Sequence, residues 1–317
     1  MSFDGPPPSI RRAIWDGSIP VQILLNPGES RVFDNTDPFY IQLPRVSYLP
    51  LFYPQLYAFF ESFLIDKGSV NPAEAWLDFE GVPLKWHWPI GLLYDILTGR
   101  DPSYATMDWN SGDEHRLPWT LTLHYSDYPN EHLMRLDSPN ALQDSFVNST
   151  KEADYLRNGN SRAVMSLSMA DSAKLWESIE THNFDTFWSI ADRLITNSAY
   201  PIRHIPIKVY LPSAAKVVQK LVPPYLQGHR SLLPPNPSPQ SSQSMLRLIL
   251  FNTGEPTTVG IVLKTMVPEL FLSTRANRIA KPVLHGIVIP LNTPLVELMK
   301  EASYPDGFLH VAVSMMS

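Results

Sequence analysis

This chain offers few starting points for nucleophilic chemistry. Its 317 residues include no cysteine, which removes thiolate nucleophiles, cysteine-borne thioesters, disulfides and cysteine-ligated zinc. No Gly-rich phosphate loop, Gly-x-Ser-x-Gly elbow or His-Glu-x-x-His motif occurs. The nine histidines, His87 to His310, never fall at the i, i+3 or i, i+4 spacing that would seat a metal, so no metal or other cofactor is expected. Asp113-Glu114-His115 has the residue types of an acid–base site. It lies in a polar loop between Trp109 and Trp119, where a solvated loop is the simpler account.

The remaining candidate is an amine. From Asn140 to Arg157, the apolar residues Leu142, Phe146, Ala153 and Leu156 recur at helical spacing. At about 100° per residue they fall within roughly 40° of Leu142, and Lys151 lies about 180° away. Ser138-Pro139 reads as an N-cap followed by proline at the first helical position. The spacing therefore predicts an amphipathic helix with Lys151 at its most exposed point, ringed by Asn, Ser, Thr, Glu152 and Asp154. A lysine there is either an ordinary solvated charge or one with a special chemical role. Asn148-Ser149-Thr150 also fits a glycosylation acceptor, which matters only in a secreted chain.

The rest of the chain must position that helix. Hydrophobic residues make up 44% and charged residues 18%, a globular composition with room for two or three domains. No run is long enough to span a bilayer, and the N-terminus is not a signal peptide, so a soluble intracellular protein with at most peripheral membrane contact is expected. The net charge of −6 argues against nucleic-acid binding by bulk electrostatics. It is unevenly spread. The stretch from Arg193 to Gly254 carries seven basic residues and no acid, leaving −13 for the rest. Such a stretch either pairs with the acidic remainder or meets anionic headgroups, with Lys208, Lys216 and Lys220 as the candidates.

In order, Ile10–Trp15 reads as a short leader helix, and Ile19–Leu25 and Phe39–Leu43 as strands in hairpin range. A long helix from Tyr48 to Leu64, strands at Ala75–Phe79 and Leu84–Trp86, a helix after Pro89 and a strand at Trp119–Tyr125 follow. That is a β-grasp pattern, one helix over a mixed sheet. Helices then run from Ser138 to Tyr200. The grasp recurs: a strand at Ile205–Leu211, a second strand split between Lys216–Leu221 and Leu246–Phe251, a helix at Thr257–Leu270, a strand at Gly286–Ile289, a short helix from Pro294 and an alternating strand at Phe308–Val313. Pro223 to Ser244 is a Pro/Ser-rich insertion. The expected domains are a leader at 1–17, a first grasp at 18–128, a helix-rich domain at 129–200 and a second grasp at 201–317, with the insertion at 223–244.

Several motifs share a further likeness. Leu43-Pro-Arg-Val-Ser-Tyr-Leu49, Lys85-Trp-His-Trp-Pro-Ile-Gly-Leu-Leu-Tyr-Asp95, Leu117-Pro-Trp119, Lys151-Glu-Ala-Asp154, Phe184-Asp-Thr-Phe-Trp188, His285-Gly-Ile287 with Thr293-Pro-Leu295, and Tyr304-Pro-Asp-Gly-Phe-Leu-His310 together resemble the autophagy protein five family. The resemblance runs in order from about Arg12 to the C-terminus; the Pro/Ser-rich insertion departs from the shorter family members. It implies an α+β fold, two ubiquitin-like β-grasp domains flanking a helix-rich one. It implies that the modifier autophagy protein twelve is joined through its C-terminal glycine to Lys151, and that coiled-coil autophagy protein sixteen docks a helix where the three domains meet, with Ile14 and Trp15 as candidate anchors. The conjugate would act like a ligase, stimulating autophagy protein three to transfer autophagy protein eight to phosphatidylethanolamine, in the cytoplasm and at the pre-autophagosomal membrane. Without cysteine the chain carries no thioester, so its own part would be scaffolding. Its C-terminal Ser314-Met-Met-Ser317 lacks the glycine a modifier needs, which fits an acceptor. The competing class is a glycan-directed enzyme using Asp/Glu and the 8 Trp, though most of the aromatics fall at core-periodic positions.

Overall fold

The structure, a computed structural model, describes residues 9–32, 36–68, 70–99, 117–196, 201–212, 217–226, 254–276 and 279–316. The strand expected at Leu246–Phe251, most of the Pro/Ser-rich insertion, Lys216 and Asp113-Glu114-His115 lie outside the described residues.

The first sheet is built from β1 (Ser18–Leu25), β2 (Phe39–Pro44), β3 (Trp76–Phe79), β4 (Val82–Pro83) and β5 (Trp119–His124), ordered β2-β1-β5-β3-β4. β1 turns Ile19, Val21, Ile23 and Leu25 inward, as its alternation requires. It pairs antiparallel with β2 and parallel with β5. Helix α2 (Tyr53–Phe60) packs Leu56 and Phe60 on this face. α2 is shorter than its apolar spacing suggests, because Leu49-Pro-Leu-Phe52 takes a 3₁₀ turn at its proline-bearing start. The fourth strand sits at Val82–Pro83 rather than Leu84–Trp86: Glu80 and Gly81 take positive φ (52° and 80°), which closes the hairpin early.

The helical segment comprises α4 (Ala141–Asn158), α5 (Arg162–Met165), α6 (Met169–Glu180) and α7 (Phe184–Ile195). The side chains of Ser168 and Asn183 cap α6 and α7. α4 starts two residues later than a Ser138 cap would place it; Asn140 holds the N-cap position without a side-chain bond.

The second sheet repeats the first: β6 (Ile207–Tyr210), β7 (Val218–Gln219), β8 (Ala280–Leu284), β9 (Ile287–Val288) and β10 (Leu309–Met315), ordered β7-β6-β10-β8-β9, with β10 and β6 parallel. Helices α8 (Val259–Met266) and α9 (Leu295–Ala302) accompany it. β8 escapes sequence reading because Pro282 argues against an interior strand. It is accommodated here with its carbonyl accepting from Ile289 N–H at 2.9 Å.

β10 departs from its alternating pattern. Every residue from Leu309 to Ser314 is buried, because α3 (Ile90–Leu97) of the first domain lies against the sheet. α3 places Ile90 and Leu93 in the first domain's core and Leu92 in the core shared by the helices and the second domain. The two ubiquitin-like units are thus fastened by a shared helix.

Candidate functional site

α4 carries Lys151 and is gripped along most of its length. Leu142, Phe146 and Ala153 point inward as expected, and so do Thr150, Asp154 and Arg157. Phe146 packs edge-on against Tyr48 and beside Trp176. The exposed stripe runs through Asp144, Asn148, Glu152 and Tyr155, about half a residue's rotation past the predicted position. Lys151 is therefore half-buried at the rim of that stripe, not at its centre. Its ammonium makes no ion pair or hydrogen bond among the described residues.

Its acidic sequence neighbours are engaged elsewhere. Glu152 takes Lys208 Nζ at 3.0 Å and Gln219 Nε2 at 3.1 Å. Asp154 accepts from Asn158 Nδ2 at 2.6 Å and from Val164 N–H at 3.1 Å, capping the start of α5. The helix ends at Gly159, left-handed at φ 75°, with the Arg203 side chain laid on it.

A buried polar cluster fixes α4 to the second domain. Asp306 accepts from Ser149 Oγ (2.8 Å), His310 Nε2 (2.8 Å) and Phe308 N–H (3.1 Å). His310 Nδ1 shares a hydrogen bond with the Tyr210 hydroxyl at 2.8 Å. Burial alone would raise the Asp306 carboxyl; His310 beside it, with the Phe308 and Ser149 donors, outweighs burial and holds it below its ordinary pKa. Arg157 spans the same seam, donating to the Leu194 carbonyl (3.1 Å) and the Gly307 carbonyl (3.0 Å). Its burial lowers its pKa to about 10, against the pull of Asp154 and Asp306. Ser, Asp and His recur here without a catalytic geometry, since the serine donates to the carboxylate and not to the histidine. Arg157 was legible in outline: by helical arithmetic it falls on the apolar face of α4. Asp306 and His310 carried no local signal, for their partners come from other elements.

A second cluster joins the two ubiquitin-like domains. Asp95 on α3 pairs with Arg45, which follows β2, and its other oxygen accepts from Gly286 N–H at 3.0 Å. Gly286 takes φ 76°, and a Cβ there would press within 3.0 Å of the Arg45 guanidinium, so glycine is required on both counts. Burial pushes the Asp95 carboxyl up against the opposing pull of Arg45. His285 Nε2 donates to the Ala302 carbonyl (2.9 Å) and the ring stacks on Tyr304; burial lowers its pKa to about 3, so it is neutral at ordinary pH.

The leader helix α1 (Ile10–Trp15) is also structural. Trp15 is a core residue, stacked on His182 and packed on Phe184 and Phe187, with its indole N–H donated to the His182 carbonyl. The side chain expected as an anchor for a partner thus sits in this chain's own core. Ile14 is half-buried against the same core. Arg11 reaches Asp192 on α7 and Glu301 on α9, tying helical region to second domain.

Of the basic stretch, Arg193 pairs with Asp171 at 3.2 Å. Lys208 lies between Glu152 and the Phe308 ring, 3.8 Å from its centroid. Lys220 is exposed and donates to the Thr265 carbonyl at 2.7 Å. Among the described residues, several aromatics that could have served a glycan site are taken up in packing: Trp15, Trp86 and Trp119 are buried, and Trp76 stacks on His124.

Comparison with known proteins agrees in order and extent. Residues 14–125, 139–197 and 204–313 match, in turn, the family descriptions "Autophagy protein ATG5, UblA domain", "Autophagy protein ATG5, alpha-helical bundle region" and "Autophagy protein ATG5, UblB domain". Autophagy protein 5 of Aspergillus oryzae is 44% identical over 323 residues, covering 97% of both chains. That of Penicillium rubens is 44% identical over 319 residues, again 97% of both. In fold, the crystal structure of Kluyveromyces marxianus Atg5 superposes with a TM-score of 0.69 at 20% identity, covering 96% of this chain and 98% of that one.

Proposed function

Since the chain belongs to the autophagy protein 5 family, with its two ubiquitin-like domains and its role in autophagy, we propose that it is the non-catalytic acceptor of a ubiquitin-like modifier, joined through Lys151. The observation that carries this is Lys151 itself. It stands at the rim of a helix whose other inward and flanking side chains are engaged in the fold, and its amine has no counter-ion among the described residues. An amine poised on a rigid element, unpaired and reachable, suits attack on a thioester presented by another protein. The conjugating enzyme must take the amine's proton, since Glu152 and Asp154, turned to other partners, do not stand in for a base. With no cysteine in the chain, every covalent intermediate sits on the enzymes and the modifier.

In this reading the modifier is autophagy protein twelve. The conjugate, with coiled-coil autophagy protein sixteen, promotes transfer of autophagy protein eight from autophagy protein three to phosphatidylethanolamine. The chain works in the cytoplasm and at the pre-autophagosomal membrane, with Lys220 the exposed member of its described basic lysines. The test is Lys151→Arg, which keeps charge and length but removes the nucleophile. Intact mass of protein from cells should lose the ubiquitin-sized increment, with an unchanged circular dichroism spectrum. A branched peptide at Lys174 or any other lysine in the variant refutes the assignment.

A further inference from the structure

The side of α4 that presents Lys151 carries a second amine. Lys208, on β6, reaches over from the second ubiquitin-like domain and sets its Nζ 3.0 Å from Glu152 Oε2. Glu152 follows Lys151 directly on the helix, so the two lysines share one shoulder of the fold. Both are half-buried, and exposure alone does not choose between them.

Their engagement does. The Lys151 ammonium makes no ion pair or hydrogen bond among the described residues. Lys208 Nζ lies between the Glu152 carboxylate and the Phe308 ring, 3.8 Å from its centroid. Glu152 is itself held in place, because its other oxygen accepts from Gln219 Nε2 at 3.1 Å. Gln219 faces Lys208 across the β6–β7 pairing, so both side chains rise from one face of the sheet and close on the same carboxylate. Attack on a thioester needs an amine that can turn its lone pair to the carbonyl carbon. As the C–N bond forms, the C–S bond breaks, the sulfur leaves as the conjugating enzyme's thiolate, and the amine's proton passes to that enzyme. Lys151 has no partner to leave among the described residues, whereas Lys208 must first give up a carboxylate and an aromatic face.

We propose that Glu152 determines the site of conjugation: it occupies the Lys208 amine and leaves Lys151 as the nucleophile on this shoulder. Given Lys151 as the acceptor, the reading on which this rests, Glu152 supplies the exclusion of its neighbour.

The first measurement needs no modifier. The native full chain is treated with limiting N-hydroxysuccinimidyl acetate, which acylates free amines, and the rate at each lysine is read by peptide mass spectrometry. Lys151 should react about three- to thirtyfold faster than Lys208, the combined hold of an ion pair and a cation–π contact. Glu152→Gln, at an exposed position, should raise the Lys208 rate about two- to fivefold. The rate at exposed Lys174 should not change, which separates release of one amine from a general loosening. The second measurement maps branched peptides in protein from cells. Lys151→Arg should carry none; Lys151→Arg with Glu152→Gln should carry one at Lys208, lost again when Lys208→Arg is added. Lys208 acylated as fast as Lys151 in the wild-type chain, a Lys208 rate unmoved by Glu152→Gln, or no branch at Lys208 in the double variant overturns the proposal. A conjugate that persists in Lys151→Arg alone refutes Lys151 as the acceptor; its loss there without a gain at Lys208 in the double variant refutes only the role of Glu152.

Discussion

Replacing Asp306 tests whether the second domain holds the Lys151 helix in place. Asp306→Ala removes the acceptor for Ser149 Oγ, His310 Nε2 and Phe308 N–H at once. The Ser149 hydroxyl is half-buried and can turn to another partner, while His310 and the Phe308 backbone are buried and cannot. An orphaned buried donor costs about 1–3 kcal/mol, and the substitution leaves two of them. A loss of about 2–6 kcal/mol is therefore expected from urea unfolding, with faster hydrogen exchange in α4. Asp306→Asn keeps the shape and the Phe308 contact and should lose less. The pH dependence gives an independent reading. Asp306 titrates below its unfolded value, near about 3.9, in the folded chain. Its contribution is thus fully present above the unfolded pKa and lost as pH falls through the lower folded one. The wild-type advantage over Asp306→Asn should shrink across that acid window. A loss under 1 kcal/mol for Asp306→Ala, or α4 exchange no faster than in wild type, would refute the view that this cluster seats the helix.

Two further outcomes follow from the domain seams and the basic stretch. Arg45→Ala should cost about 3–5 kcal/mol by leaving Asp95 buried and unpaired, whereas Arg45→Met with Asp95→Leu should recover most of it; calorimetry of both checks this, and equal losses would assign the cost to packing. In flotation with anionic liposomes, Lys220→Glu should reduce binding while Lys208→Glu, whose lysine is already held by Glu152, should change it less; binding insensitive to lipid charge and salt would exclude a basic contact.

What the sequence by itself determined is what local periodicity encodes. The alternation in Ser18–Leu25 and Trp119–His124, the 3.6-residue spacing in Phe184–Ile195, and the helix starts at Ser9 and Asn183 all stand where their residue types put them. The order of grasp, helices and grasp follows from those elements, and the proposed acceptor, Lys151, from a family-like motif on one of them. Tertiary structure decided the rest, because a side chain's partners can lie hundreds of residues away. Trp15 reads as a free aromatic on a leader helix until the α6–α7 turn closes over it. Lys208 reads as a surface charge until Glu152 and Phe308 take it up from two other elements. β10 reads as half-solvated until α3 covers its second face, and His310 and Ser314 then become buried interface residues, bonded to Asp306 and the Gly99 carbonyl. Even the exposure of Lys151 shifted from the centre of the solvent stripe to its rim. Helical arithmetic knows one buried face, and α4 packs against more than one domain.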